Sequence, residues 1–315
     1  MNKEQSFGDY FEEWIDTYKR GFIRNVTLEK YVHNVKWIRR LMPVLKVKEL
    51  SRITYQELIN KYAEFHEKQT TMDFHHQLKA SIMDALDEGF IEKDPTRKVV
   101  IKGKKAGPKK KKFLSQFELQ LLLRSLELDE DRITWEWCIN LIAKTGLRFS
   151  EALGLTPKDF DFNKLTIKVN KTWNYKEGGG FDLTKNKTSN REITVDLKTM
   201  AQFKHLTKDL PENEPIFVTD TTTKSKYKRV YNSTLNNVLD KYCKKAGVTE
   251  ITVHGLRHTH ASLLLLQGVS IPSVSKRLGH ANVSTTQEVY LHVVKELENK
   301  DTGLIMGSIM NLEQE

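Results

Sequence analysis

The sequence predicts a mainly α-helical protein with a small antiparallel β region, organised as two domains. Apolar residues recur at helical spacing through most of the chain, and alternating β-branched residues are confined to one stretch near its middle. A lysine-rich segment with glycine and proline interrupts the helical pattern. We therefore expect a helical N-terminal domain at 1–101, a basic linker at 102–112 and an α+β C-terminal domain at 113–315.

The N-terminal domain contains four amphipathic helical patterns. In the first, over 7–18, aromatic and aliphatic residues fall on one helical face. Thr27 is predicted to be the N-cap of the second helix, and Thr54 the N-cap of the third, with Glu57 completing a capping box. A fourth pattern covers 74–86. Because the aromatic residues lie on the apolar faces, we predict that they form a core rather than a surface that stacks on nucleic-acid bases.

The C-terminal domain begins with a predicted helix that Ser115 caps and that runs to Leu126. A second helix is predicted at 133–144, and a short third one begins at Ser150. Alternating β-branched residues, separated by glycines, then predict three strands, at 165–169, 172–175 and 191–195. From residue 197 onward the pattern is again mainly helical.

The basic linker carries most of the excess charge of the chain. Its seven lysines, with no acidic residue, contribute +7 to a net charge of +10. Such a segment stays extended and attracts a polyanion. Its lysines are either simply solvated or lie along nucleic-acid phosphates, and composition alone leaves both interpretations open. The candidate phosphate-contacting residues are Lys104, Lys105, Lys109, Lys110, Lys111 and Lys112.

Several classes of protein are disfavoured by composition. No apolar run approaches the roughly 20 residues that span a bilayer, and the first residues lack the apolar region of a signal peptide. We therefore expect cytoplasmic residence. The two cysteines, Cys138 and Cys243, have no metal-ligand spacing and imply no disulfide framework. Cys138 lies among apolar residues and is predicted to be a buried thiol.

Three short motifs contain side chains suited to phosphate chemistry. Arg148 lies in Thr-Gly-Leu-Arg-Phe-Ser-Glu, and His254 and Arg257 share His-Gly-Leu-Arg-His. His280 ends a Leu-Gly-His motif, and Tyr290 follows ten residues later. Arginine keeps its charge, and its planar fork binds two phosphate oxygens. A tyrosine, with a pKa of about 10, needs a positively charged pocket to act as a nucleophile near neutral pH.

These motifs, in this order, resemble those of the tyrosine recombinase (phage integrase) family, most closely the integrases of phages and conjugative transposons. The resemblance covers roughly residues 6–300, with sharp motifs only after residue 140. It implies an N-terminal helical core-binding domain and a C-terminal catalytic domain, which close around duplex DNA as a C-shaped clamp. Because the chain begins almost directly at the core-binding helices, we expect either a compact family member or a shortened chain.

The resemblance implies a role for each motif residue. Arg148 and Arg257 bind the scissile phosphate, and Tyr290 attacks it to form a 3′-phosphotyrosine. His254 and His280 are implied to donate hydrogen bonds and to handle protons around the phosphate and the nucleophile.

A lysine on a β-hairpin is implied to protonate the leaving 5′ oxygen. Lys185 is the better match because it follows Thr184 at the start of the matching segment, and Lys187 is the alternative. His258 and His260 lie beside the His254–Arg257 motif and receive no catalytic role, although His258 could also face the two phosphate-binding arginines. A zinc site formed by these histidines is disfavoured because no cysteine or carboxylate completes a tetrahedral ligand set.

The implied function is site-specific DNA recombination that integrates or excises a mobile element or phage. The phosphotyrosine conserves the bond energy, so no ATP, metal or other cofactor is expected. The implied partners are double-stranded DNA and three further copies of the chain in a synaptic homotetramer, with a monomer off DNA. An excision factor or a host DNA-bending protein is a further candidate partner, and no membrane is expected. The protein is expected in the cytoplasm, associated with the nucleoid when it acts.

Rival functions remain at this point. A type IB topoisomerase and a dimer-resolving recombinase use related chemistry. A catalytically silent DNA-binding protein is a third alternative, but such a protein has no need of an exposed nucleophile. The apolar residues of the tail at 294–315 dock on a neighbouring protomer or pack on their own chain, and the sequence does not distinguish these.

Overall fold

The computed structural model describes residues 1–105, 107, 113–175, 178–184, 187–219 and 230–290. The chain folds into two compact units, Met1–Lys109 and Lys110–Glu315. Five predicted site residues lie outside the described residues, namely Lys109, Lys110, Lys111, Lys112 and Lys185. The apolar tail at 294–315 lies outside them as well. In the part of the chain that is described, no helix is long and apolar enough to cross a membrane.

The first unit is a bundle of four helices. They are α1 (Phe7–Tyr18), α2 (Asn25–Leu41), α3 (Arg52–Ala63) and α4 (Lys68–Asp87), with a 3₁₀ turn at Val47–Glu49. The aromatic face of α1 is buried, and Tyr10 and Trp14 reach across to α4, where they donate hydrogen bonds to Ser81 O and Asp84 Oδ2. The predicted core role of the α1 aromatic residues is confirmed except at Tyr18, which is exposed.

Three predicted helix starts in this unit were wrong. The fourth helix begins at Lys68 rather than at residue 74. Helix α2 begins at Asn25, ahead of Thr27, and α3 begins at Arg52, ahead of Thr54. The N-cap of α3 is Ser51, whose hydroxyl accepts the Thr54 N–H, while the Thr54 hydroxyl accepts the Ser51 N–H. Thr54 therefore belongs to a capping box at helix position N3 rather than as the N-cap, because Ser51 and Thr54 satisfy each other's backbone donors.

The first residues of the predicted linker are fixed to this unit. The Lys104 N–H donates to His66 O at 2.8 Å, between α3 and α4. A Cβ atom on Gly103 would lie 2.1 Å from the Lys68 backbone nitrogen, so only glycine permits this approach. Just upstream, the Gln56 amide bonds both the N–H and the C=O of Val100. The backbone up to Lys104 is thus hydrogen-bonded to the first unit, while the residues at 102–104 are exposed.

The second unit contains the remaining helices and all the strands that the described residues form. Its helices are α5 (Gln116–Ser125), α6 (Trp135–Thr145), α7 (Phe149–Leu153), α8 (Leu197–Thr207), α9 (Asn232–Lys245), α10 (Val253–Leu266), α11 (Ile271–Leu278) and α12 (Val283–Val289). Helix α6 is buried on nearly every side, and Cys138 within it is fully buried, as predicted. Burial raises the pKa of this thiol, so it is a core residue rather than a reactive one.

Five short strands form two antiparallel sheets. The strands are β1 (Phe160–Asp161), β2 (Thr166–Val169), β3 (Lys171–Trp173), β4 (Phe181–Leu183) and β5 (Arg191–Thr194). One sheet has the order β1-β2-β5, with Ile167 opposite Ile193 and Val169 opposite Arg191, and the other pairs β3 with β4. A mainly α fold with a small antiparallel β region is therefore confirmed. Strands β1 and β4 were not predicted, since one has two residues and the other is exposed throughout.

Candidate active site

The turn between α6 and α7 positions Arg148. Helix α6 ends at Gly146, which adopts a left-handed conformation with φ of 70°. A Cβ atom there would lie 2.8 Å from the His260 ring and 2.9 Å from a methyl group of Leu278, so the turn requires glycine. Arg148 is the N-cap of α7, and its N–H donates to the Glu151 carboxylate at 2.9 Å. Arg148 thus lies in a turn that a glycine bends between two helices.

Arg257 lies on the first turns of α10 and is only 2% exposed. Its Nη1 donates to Gly146 O at 2.8 Å, and its Nη2 donates to Leu278 O at 2.7 Å. Burial, followed by the charge of Arg148, lowers the pKa of Arg257 to about 9. The guanidinium therefore keeps its charge at neutral pH.

The two arginines meet at the end of α11. Arg148 Nη1 lies 3.4 Å from Leu278 O, the same oxygen that Arg257 binds, and Arg148 Nη2 donates to Gly279 O at 3.2 Å. Gly279 adopts a left-handed conformation with φ of 67°. The side chain of Arg148 is 35% exposed, whereas that of Arg257 is buried. Two guanidinium groups are thus held side by side, with one open to an approaching anion.

Glu151 is the buried counter-ion of this cluster. Its carboxylate lies 2.7 Å from Arg148, 2.8 Å from Arg191 and 4.0 Å from Arg257. Burial alone would raise the pKa of Glu151, but the hydrogen bond from Arg191 and the three positive charges outweigh it and lower the pKa to about 2. One carboxylate faces three guanidinium groups, so the site keeps an excess of positive charge. Such a pocket attracts a phosphate.

Tyr290 follows α12 and is buried, with 2% of its surface exposed. It packs against Ala261, Leu265, Val274 and Leu278. Burial raises the pKa of Tyr290 to about 12, and the charge of Arg257 offsets only part of that effect. The expectation of an exposed nucleophile is therefore wrong for this structure, in which Tyr290 is a neutral phenol beside the arginine cluster.

The histidines divide into two groups around this phenol. His258 Nδ1 lies 3.0 Å from the Tyr290 hydroxyl, and the His254 ring centre lies 4.6 Å from that of His258. His280 Nδ1 is 2.7 Å from the Thr286 hydroxyl of α12. Desolvation, then the charges of Arg257 and Arg148, lower the pKa of His254, and the same causes lower that of His280 to about 4. Both rings are therefore neutral at pH 7.

The structure brings together five of the six predicted catalytic residues, and Lys185 is outside the described residues. The backbone of the alternative, Lys187, lies in a 3₁₀ turn before β5. Sequence reasoning missed Glu151 and Arg191, although each carried a signal. Glu151 follows Arg148 by three residues. Arg191 precedes the apolar Ile193 by two residues in β5, and this spacing places both side chains on the same, buried face.

His260, which received no catalytic role, is hydrogen-bonded within the second unit. Its partners are Ala143 O and Arg277, within the packed interior. Lys104 and Lys105 are exposed residues of the first unit. Across the described residues, no group of three or more His, Cys, Asp or Glu side chains is arranged to hold a metal ion.

The chain is similar to known proteins over most of its length. The family model described as the phage integrase family matches residues 112–296, which is more than half of the chain. The tyrosine recombinase XerC-like protein of Caldanaerobacter subterraneus subsp. tengcongensis is 26% identical over 93% of this chain and 80% of its own length. The ICEBs1 integrase of Bacillus subtilis is 26% identical over 87% of this chain and 78% of its own length.

A solved structure shows the same fold. The Tn1549 transposon integrase, in complex with transposon right end DNA, superposes with a TM-score of 0.76 at 18% identity and covers 95% of this chain and 100% of that one. The family match, the two relatives and the paired arginines beside a tyrosine lead to one conclusion: the chain belongs to the phage integrase family and is a tyrosine recombinase.

Proposed function

We propose that this tyrosine recombinase cleaves and rejoins DNA strands at specific sites through a 3′-phosphotyrosine intermediate, and so integrates or excises a mobile element or phage. The observation that carries the proposal is the convergence of Arg148 and Arg257 on Leu278 O, next to a tyrosine whose hydroxyl is bonded to a histidine. The integrase relatives, from a conjugative element and a staphylococcal phage, support the mobile-element role.

The two arginines bind the scissile phosphate in this proposal. Arg148 is the partly exposed member and can turn from Gly279 O toward a non-bridging oxygen. Arg257 is held by two carbonyls and acts as a fixed positive charge. Developing charge on the phosphate is best stabilised by donors that are already oriented before the reaction. His254 and His280, both neutral, supply further hydrogen bonds to the phosphate.

Tyr290 is the nucleophile. Its oxygen forms a bond to phosphorus while the bond from phosphorus to the 5′ oxygen breaks, and the phenol proton passes to His258 Nδ1, 3.0 Å away. The leaving 5′ oxygen takes a proton from Lys185, or from Lys187. The 5′ hydroxyl of a partner strand then reverses the attack. Because Tyr290 is only 2% exposed, the phenol has to become more accessible before it can reach a DNA phosphate.

The partners follow from this reaction. Two duplexes exchange strands, so four copies of the chain act on DNA and a single copy is expected off DNA. The first unit is proposed to contact the core site as a helical DNA-binding domain, and the basic linker to lie along its phosphates. An excision factor or a host DNA-bending protein would then set the direction of recombination. The protein is expected to act in the cytoplasm, on the nucleoid.

Covalent trapping tests the proposal. The substrate is a nicked duplex carrying the mapped target site, from which a short strand is lost after cleavage so that the adduct cannot religate. Wild type is expected to form a protein–DNA band that resists SDS and forms in EDTA, and Tyr290→Phe is expected to form none. A specific complex with DNA that yields no such band in wild type would instead support a silent DNA-binding protein. Relaxation of plasmids without site preference would support a topoisomerase.

A further inference from the structure

His260 lies one helical turn beyond Arg257 on α10 and is 8% exposed, yet both of its ring nitrogens are bonded. Its Nε2 is 2.9 Å from Arg277 Nε, and its Nδ1 is 3.1 Å from Ala143 O. Because arginine can only donate, Nε2 must accept, and the ring proton therefore resides on Nδ1 and is donated to Ala143 O. His260 is thus a neutral imidazole held in one tautomer.

Arg277 extends this contact to two other elements. Its Nη2 donates to Lys144 O at 3.2 Å, and both of its terminal nitrogens donate to Thr194 O at 3.1 Å. Ala143 and Lys144 lie in the last turn of α6, where carbonyls lack intrahelical partners. The His260–Arg277 pair therefore satisfies the end of α6 and ties it to α10, α11 and β5.

The two backbone segments whose carbonyls bind Arg148 and Arg257, here called the clamp arginines, adjoin the His260–Arg277 pair. Gly146, whose carbonyl binds Arg257, follows Lys144 by two residues, and a Cβ atom on it would lie 2.8 Å from the His260 ring. Leu278, whose carbonyl binds both arginines, directly follows Arg277. A displacement of the pair would shift the Gly146 and Leu278 carbonyls together, and with them the two guanidinium groups.

We infer that His260 and Arg277 are positioning residues that set the orientation of Arg148 and Arg257 toward the scissile phosphate. This inference rests on the proposed function. Burial, followed by the charge of Arg277, lowers the pKa of His260 to about 3, so the ring remains neutral wherever the enzyme works. A protonated ring would lose the bond from Arg277 and place two cations in contact.

The test measures single-turnover formation of the covalent adduct with DNA bound to saturation. Each protein is assayed on the normal scissile phosphate and on each diastereomer of a phosphorothioate, in which sulfur replaces one non-bridging oxygen. The rate on each phosphorothioate is divided into the rate on the normal phosphate. This rate ratio reports how the arginines contact the replaced oxygen, and it does not depend on the fraction of active protein. The variants are His260→Phe, Arg277→Met, the double variant and His260→Gln, whose amide can still accept from Arg277.

His260→Phe is expected to slow cleavage per folded molecule by about 10-fold to 100-fold, since small misplacements of catalytic groups have effects of that size. DNA affinity should change little, and the rate ratio should fall for at least one diastereomer. Arg277→Met should behave alike, the double variant should be no worse than either single variant, and His260→Gln should recover part of the rate.

The matched control is His75→Phe, which removes another buried histidine, hydrogen-bonded to Tyr55 in the first unit. It should lower thermal stability and leave both the rate per folded molecule and the ratio unchanged. The inference is overturned if His260→Phe keeps the wild-type rate, or if it slows cleavage with an unchanged ratio. Absence of an adduct in wild type would overturn the proposed function itself, and this inference with it.

Discussion

At the scale of single residues, Glu151 determines whether three arginines can share one buried site. Its carboxylate contacts Arg148 and Arg191 directly and lies 4.0 Å from Arg257. Without that negative charge, the three guanidinium groups would repel one another, and Arg148 and Arg191 would lose the acceptor they share. Removing one member of a buried ion pair leaves the others uncompensated, and this is more costly than the net stability of the intact pair.

Glu151→Gln is therefore expected to destabilise the fold by about 3 kcal/mol at pH 7. The pKa of Glu151 is about 2 in the folded state, below its ordinary value of 4.5, so its ionised form stabilises the fold above pH 4.5. That contribution is lost as the pH falls from 4.5 toward 2. Urea unfolding at a series of pH values should show the difference between wild type and variant shrinking over that range.

The control for this prediction is Glu127→Gln, which removes an exposed carboxylate paired with Lys245. This variant should unfold like wild type at every pH, since exposed ion pairs contribute little. A difference between Glu151→Gln and wild type that stays constant from pH 7 to pH 3 would mean that the carboxylate does not act through its charge.

A second prediction at this scale concerns His258, whose Nδ1 is bonded to the Tyr290 hydroxyl. His258→Phe should slow formation of the covalent adduct by about 100-fold at pH 7, as is usual for loss of a general base. Its rate should then rise with pH, because the pKa of Tyr290 is about 12 and the phenol must lose its proton to solvent. The measurement is the pH profile of single-turnover cleavage.

His205→Phe, at an exposed histidine of α8, serves as the control and should match wild type. Comparison with His254→Phe separates the two candidate bases. If His254→Phe changes the pH profile and His258→Phe does not, the proton passes to His254 and the contact seen here serves only to hold the phenol.

The sequence predicted the clamp arginines, two histidines and the tyrosine because their chemistry depends on residue type within short motifs. It did not predict the bond between Glu151 and Arg191, which are 40 residues apart and meet only when β5 packs beside α7. His254, Arg257 and His258 share one side of α10 by helical spacing. Which histidine meets Tyr290 depends on how α12 packs, and no local pattern reports that.

At the scale of elements, helix existence was predicted better than helix starts. Ser115 was correctly predicted as the cap of α5, because no competing cap residue precedes it closely. Ser51 and Thr54 both have hydroxyls suited to capping, and the choice between them depends on the 3₁₀ turn that delivers the chain to α3. The ends of α6 and α11 matter more for the site, since their glycines present carbonyls to the arginines.

Gly279→Ala should therefore be more damaging than an ordinary left-handed glycine substitution. A Cβ atom at Gly279 would lie 2.9 Å from Arg191 Nη1, whereas one at Gly247, with φ of 65°, would meet nothing within 4 Å. Both variants carry backbone strain of about 1 kcal/mol. The clash should add about 1–3 kcal/mol for Gly279→Ala alone. Thermal unfolding checks this, and equal losses in the two variants would show that Arg191 moves aside freely.

At the scale of the whole molecule, charge and composition predicted a linker at 102–112, and the two compact units of the structure meet in sequence at Lys109 and Lys110. They did not predict that Gly103 and Lys104 would be fastened to the first unit. That attachment depends on a backbone approach that only glycine allows, and on a free carbonyl between two helices. The roles of the two domains and of the linker lysines remain predictions.

The linker prediction is testable through salt. Each phosphate that a lysine neutralises releases counterions, so log affinity falls with log salt concentration by about 0.9 per contact on duplex DNA. Replacing Lys104, Lys105 and the four lysines at 109–112 by glutamine should therefore reduce the slope by up to about 5 if all of them contact phosphates. The weakening should be similar for specific and random DNA, because phosphate contacts carry no sequence information.

The control variant replaces the same number of exposed lysines outside the linker, namely Lys3, Lys30, Lys61, Lys93, Lys158 and Lys241. Both variants lose the same net charge, so a general effect of charge on the approach to DNA is equal in the two. A larger fall in slope for the linker variant would place the lysines on the phosphates. Equal slopes would mean that the linker is a solvated connection whose charge contributes only to the overall field of the protein.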